Sequence, residues 1–128
     1  GCIRPLLSYR GDFATLCASG FSAEEEVEGG YNSSVMLWEA SDGGGGLSAL
    51  FSGLDGAVFS CLMRWDHWLE MVVPDAHLLQ QSHPQLIVDY RKHCAAGAPP
   101  EGAAIVCFPR WPKPHEADDE WIATHWRE

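Results

Sequence analysis

Short apolar runs alternate with stretches of helical periodicity, and this predicts an α/β fold: a mixed sheet with flanking helices. Three observations carry the expectation. Residues 105–108 (Ile-Val-Cys-Phe) offer no polar face to water, so they read as a buried strand. Residues 85–90 form a second strand-like run around Leu86, Ile87 and Val88. Between these runs and the N-terminal region, Trp65, Trp68, Leu69 and Val72 recur at helical spacing, with Asp66 placed to cap the helix and Pro74 to stop it.

The remaining elements follow in order. Residues 1–7 are an apolar lead-in too short to classify. Residues 13–17 (Phe-Ala-Thr-Leu-Cys) suit a strand entered from the turn-forming pair Gly11-Asp12. Glu24, Glu25, Glu26 and Glu28 make an acidic run whose spacing lacks the alternation of a calcium loop, so it reads as solvated. Asn32, Ser33 and Ser34 then lead into the apolar residues Val35 to Trp38. Their side chains are suited either to satisfying backbone groups or to bonding sugar hydroxyls, since Asn and Ser both donate and accept. The glycines at 43–46 lack the Lys-Ser/Thr of a phosphate-binding loop, and residues 47–51 read as a short helix. Residues 57–73 are helical chiefly in their second half, where His67 and Glu70 share a face without a third metal ligand. Residues 76–81 suggest another helical turn. Arg91, Lys92 and His93 form a basic exit from the 85–90 strand, and residues 118–126 suit a final helix with acids in its first turn.

Composition narrows the function classes. The chain has 128 residues, enough for one domain burying roughly two thirds of its unfolded surface. Its 8 Lys+Arg against 18 Asp+Glu leave a formal charge of −10, so the average surface repels nucleic acid and anionic membranes. Five scattered cysteines without a CxxC pair read as free thiols of a reducing compartment, and the absence of a long apolar run points to a cytoplasmic chain.

Against this acidic background the loop after residue 108 is a local exception. Pro109, Pro112 and Pro114 remove backbone donors and fix φ, giving a stiff segment that carries Arg110, Lys113 and His115 beyond the end of a strand. Such a loop suits an anion, most naturally a phosphate, although stiffened surface turns with solvated cations have the same composition.

The order NSSVMLW, RWDHWLE, IVDYRKHC, IVCFPRWPKPHE and a terminal Trp-rich helix resembles the C-terminal half of a GT-A-type nucleotide-sugar glycosyltransferase, of the bacterial glycogenin-like and galactosyltransferase-like kind. In that family a His-x-x-Gly-x-x-Lys-Pro pattern binds a divalent metal and the donor diphosphate. Lys113-Pro114 match its final pair, while Cys107 and Arg110 stand at the His and Gly positions. The resemblance implies a fold like the C-terminal part of a nucleotide-diphospho-sugar transferase. It places Asn32, Ser33 and Ser34 beside the donor sugar, Arg110 and Lys113 at the diphosphate, and Asp66 as the acidic residue near the sugars. It also implies a fragment lacking an N-terminal nucleotide-binding half. That half supplies an Asp-x-Asp motif for an ion such as Mn2+, and no Asp-x-Asp occurs within these residues. The expectation is therefore a glycosyltransferase-like chain, inactive in isolation and inclined to self-associate or to take a partner subunit. The alternatives are a binding or scaffold module on a degenerate version of the same fold, and a small acidic interaction protein.

Overall fold

The structure is a computed structural model that describes residues 1–18, 30–39, 52 and 54–126. The acidic run, the glycine stretch and the helix expected at 47–51 lie outside the described residues.

The α/β expectation holds, as two small sheets with flanking helices. Strands β1 (Ala14–Cys17), β2 (Tyr31–Leu37) and β3 (His77–Leu78) form the first sheet in the order β2-β1-β3, with β2 antiparallel and β3 parallel to β1. Strands β4 (Ile87–Asp89) and β5 (Ile105–Cys107) form a parallel pair in register Ile87 to Ile105. Among the described residues the helical elements are α1 (Arg4–Leu7), α2 (Gly56–Cys61), α3 (Trp65–Val72), α4 (Leu79–Ser82), α5 (Tyr90–His93) and α6 (Glu120–His125), with a 3-10 turn at Pro114–Glu116.

The two-residue period of β1 divides the core. Ala14 and Leu16 face Leu6, Leu79, Ile87 and Cys107, so this cluster joins the two sheets. Phe13 faces the opposite way and packs with Tyr31, Trp68 and Leu69, which seats α3 on the first sheet. Complete burial of Leu16, Leu69 and Leu79 contributes about 1.5–3 kcal/mol each relative to exposure.

Several local expectations change. Asp66 is not the cap of α3: Arg64 holds that position, and Asp66 lies in the first turn with its carboxylate turned to β2. The genuine side-chain cap is Asp55, one helix earlier, whose Oδ1 accepts the Ala57 and Val58 N–H groups at 2.9 Å. The helical stretch is broken at residues 62–64. On α3 Trp68 and Leu69 are buried, but Val72 is exposed. The turn expected at 76–81 begins as a strand, because His77 N donates to Phe13 O and draws the segment alongside β1. The strand at 105–108 ends at Cys107; that residue is buried, whereas Ile105, Val106 and Phe108 are half-buried.

Of the five thiols, Cys94 and Cys107 are buried, Cys17 is half-buried, and Cys2 and Cys61 are exposed. Among the described residues no helix is long and apolar enough to cross a membrane.

Candidate functional site

The polar triplet expected to precede a strand instead lies inside one. β1 and β2 pair as Thr15 to Met36, then as Leu16 to Asn32, so Ser33, Ser34 and Val35 are extra residues pushed out of the ladder. Thr15, fully buried, closes the gap: its hydroxyl sits 3.1 Å from both Asn32 O and Val35 O and donates to the pair. Within the bulge Ser34 N donates to Asn32 Oδ1 at 3.0 Å, which shows the backbone-satisfying use of that asparagine.

The outer side of β2 is held by α3. Ser33 N donates to Asp66 Oδ1 at 2.8 Å and Tyr31 N to Glu70 Oε1 at 2.7 Å. Asp66 and Glu70 are four residues apart, hence on one helix face, and residues 31 and 33 share one strand edge, so two carboxylates meet two strand donors. Both acids accept from backbone N–H groups. Glu70 bonds Tyr31 rather than pairing with His67, and among the described residues no group of three or more His, Cys, Asp or Glu side chains is placed to hold an ion. Tyr31 adds a second tether. Its hydroxyl contacts Val73 O at 2.7 Å and Pro74 O at 2.8 Å and accepts from Ala76 N at 2.9 Å, fixing the turn between α3 and β3.

The cationic loop follows the C-terminal end of β5. Lys113 is exposed, and its ammonium reaches back to Phe108 O at 2.9 Å and Pro109 O at 3.3 Å, closing the loop on itself. Glu116 reinforces the turn: its carboxylate accepts Lys113 N, while its own N–H donates to Lys113 O. Arg110 is half-buried, with an Nε that finds no acceptor, and His115 is exposed. Asn32, Ser33, Ser34 and Asp66 are thus gathered by direct bonds. Arg110 and Lys113 share a separate loop, and the hydrogen bonds of Lys113 remain within that loop.

Sequence reasoning missed a third group, at the C-terminal end of β4. Asp89 is wholly buried; its Oδ1 caps α5 by accepting Lys92 N at 2.8 Å, while Oδ2 has no partner. Burial pushes the neighbouring Cys107 thiol up to about 11, with the Asp89 charge adding to the effect, and burial likewise raises Cys94. Tyr90 donates to Asp119 and stacks on Phe108 with ring centroids 4.5 Å apart. The Asp119 bond is the first cause of its raised pKa, ahead of burial. Tyr90, Arg91, Cys94, Pro112 and Asp119 line a cleft of ≈ 300 Å³. A larger cleft of ≈ 410 Å³ lies against Val106, Phe108, Trp121, His125 and Trp126. The signal available beforehand was the Asp89-Tyr90 pair at a strand end, where α/β sheets carry ligands.

No protein family, no curated protein and no solved structure was found to match this chain.

Proposed function

We propose that this chain is a glycosyltransferase-like domain of the GT-A type, related to the part of such an enzyme that surrounds the donor sugar. The observation that supports it is the Ser33 N to Asp66 Oδ1 bond, which unites in one place the polar stretch and the acidic residue that the resemblance assigns to the sugar. Asp66 keeps its second carboxylate oxygen for a sugar hydroxyl, and Asn32, Ser33 and Ser34 add donors and acceptors around it. Arg110 and Lys113 supply the positive charge for a diphosphate. The reading is of a cytoplasmic protein in which these 128 residues, without an Asp-x-Asp, do not transfer sugar alone. The divalent ion normally neutralises the leaving diphosphate, which is a large electrostatic contribution to this chemistry.

A second reading, a non-catalytic binding or scaffold module, draws support from the same bonds. Asp66 serves a backbone amide, and Lys113 serves its own loop. Titration of the chain with a nucleoside diphosphate and with the matching nucleotide sugar separates the two. The donor-site reading expects weak, salt-sensitive diphosphate binding that Lys113→Ala removes, and sugar-dependent shifts at residues 32–34 and 66 in NMR spectra. No change at millimolar ligand rejects it in favour of the scaffold.

A further inference from the structure

The cleft of ≈ 410 Å³ is walled by rings. Phe108 follows β5, Trp121 and Trp126 come from α6 and its C-cap, and Pro114 opens the 3-10 turn. These walls are held in place. Tyr90 stacks on Phe108 at a centroid distance of 4.5 Å, lies against Trp121 at 6.4 Å, and is itself anchored through its hydroxyl to Asp119, the N-cap residue of α6. Trp126 N donates to the carbonyl of the buried Ile122 at 2.7 Å, which sets the root of the last ring, while the residue stays 49% exposed and keeps a surface free for a ligand. Interiors leave few voids larger than a water molecule, and an opening of this volume falls in the range of small-molecule sites. The cations of the proline loop stand at its rim. Lys113 Nζ bonds the carbonyl of Phe108, a wall residue, and Lys113 and His115 flank Pro114, a second one. Both cationic side chains are exposed, and among the described residues neither Lys113 nor Arg110 is in an ion pair.

We infer that this cleft takes the base of a nucleotide whose phosphates sit on the Lys113 loop. The inference rests on the reading of Arg110 and Lys113 as a diphosphate site and adds the base to it. A nucleobase is a flat π-system that stacks favourably on aromatic side chains whichever base it is. Tyr90 already orders two of the three rings, so little conformational freedom is lost when a ligand settles between them. Trp121 Nε1 has no acceptor, and the carbonyls and ring nitrogens of a base supply acceptors that a hydrocarbon occupant lacks. The exposed imidazole of His125 lines the same cleft and both donates and accepts, which suits the polar edge of a base. The formal charge of −10 selects a mononucleotide over a polynucleotide, whose further phosphates would meet acids such as Glu116, Asp118 and Glu120. The same acids keep the affinity modest and sensitive to salt.

Calorimetric titration of the whole chain with ADP, UDP and inorganic pyrophosphate at low salt tests the inference. Both nucleoside diphosphates are expected to bind at least roughly tenfold more tightly than pyrophosphate, because only they stack a base. Trp126→Ala should remove that advantage and leave pyrophosphate binding unchanged, Trp126→Phe should restore most of it, and Lys113→Ala should weaken all three ligands. Trp126 is exposed at the end of α6, so its replacement should leave the circular dichroism spectrum of the parent. In NMR spectra the indole N–H resonances of Trp121 and Trp126 should move with ADP and stay still with pyrophosphate. Equal affinity for pyrophosphate and the nucleoside diphosphates, or an ADP affinity indifferent to Trp126→Ala, overturns the base site and leaves the diphosphate reading standing. Absence of binding by all three at millimolar concentration rejects both. Tighter binding of a single-stranded oligonucleotide than of ADP overturns the choice of a mononucleotide.

Discussion

Replacing Asp66 by alanine tests the join between α3 and β2 most directly. In the native chain the Asp66 carboxylate accepts the Ser33 N–H at 2.8 Å, and both residues are half-buried. A hydrogen bond to a charged group contributes about 1.5–3 kcal/mol, and partial exposure places this one near the lower end because water can reach the freed amide. Asp66 also sits in the first turn of α3, where a negative charge adds about 0.3–1 kcal/mol. The expected loss is therefore about 2 kcal/mol, roughly thirtyfold in the folding constant. Asp66→Asn keeps an acceptor oxygen and loses the charge, so it should cost about 1 kcal/mol. Glu70→Ala removes the parallel bond to Tyr31 N, and the double variant should be non-additive by more than about 0.5 kcal/mol, because both bonds tie the same helix to the same strand. Urea unfolding followed by tryptophan fluorescence and by circular dichroism measures all four. If Asp66→Ala and Asp66→Asn both fall within about 0.3 kcal/mol of the parent, the bond is not a structural tether and the reasoning fails.

The other predictions concern separate parts of the molecule. Thr15→Val deprives the Asn32 and Val35 carbonyls of their shared donor and should cost about 1–3 kcal/mol, while Thr15→Ser should retain most of the stability; thermal or urea unfolding decides. The native chain should yield Cys2 and Cys61 quickly to a thiol reagent at pH 8, and Cys94 and Cys107 only after unfolding; equal rates would contradict the burial. Cys107 binds its proton more tightly in the folded state, so its contribution to stability is complete below the ordinary thiol value of 9.0 and is lost as the pH rises through about 11. A Cys107→Ala variant should show a flatter stability profile across that window. Phe59, Met63, Met71, Trp38 and Trp111 are large apolar side chains in contact with water, so sedimentation at several concentrations should show self-association; a monomer throughout would refute that.

What the sequence determined by itself were features set by neighbours along the chain. The runs at 13–17, 85–90 and 105–108 contain strands, at residues 14–17, 87–89 and 105–107, because their apolar side chains favour burial. Trp68 and Leu69 face the core because their spacing fits one helix face. Pro109, Pro112 and Pro114 made a stiff loop wherever the rest of the molecule lay. The tertiary structure decided where polar groups spend their hydrogen bonds. Asp66 reads as a cap when only its own helix is considered; it bonds Ser33 because α3 lies along the edge of β2, where an unpaired amide has greater need of an acceptor. The three-residue shift in the β1–β2 register has no local signature, since it depends on the buried Thr15 hydroxyl bridging two carbonyls of a distant strand. Residues 77 and 78 were drawn into a strand by pairing with Ala14 and Thr15 on the side of β1 away from β2. Patterns in sequence record which residues avoid water, whereas the partner of a buried donor or acceptor is set by whichever segment arrives beside it.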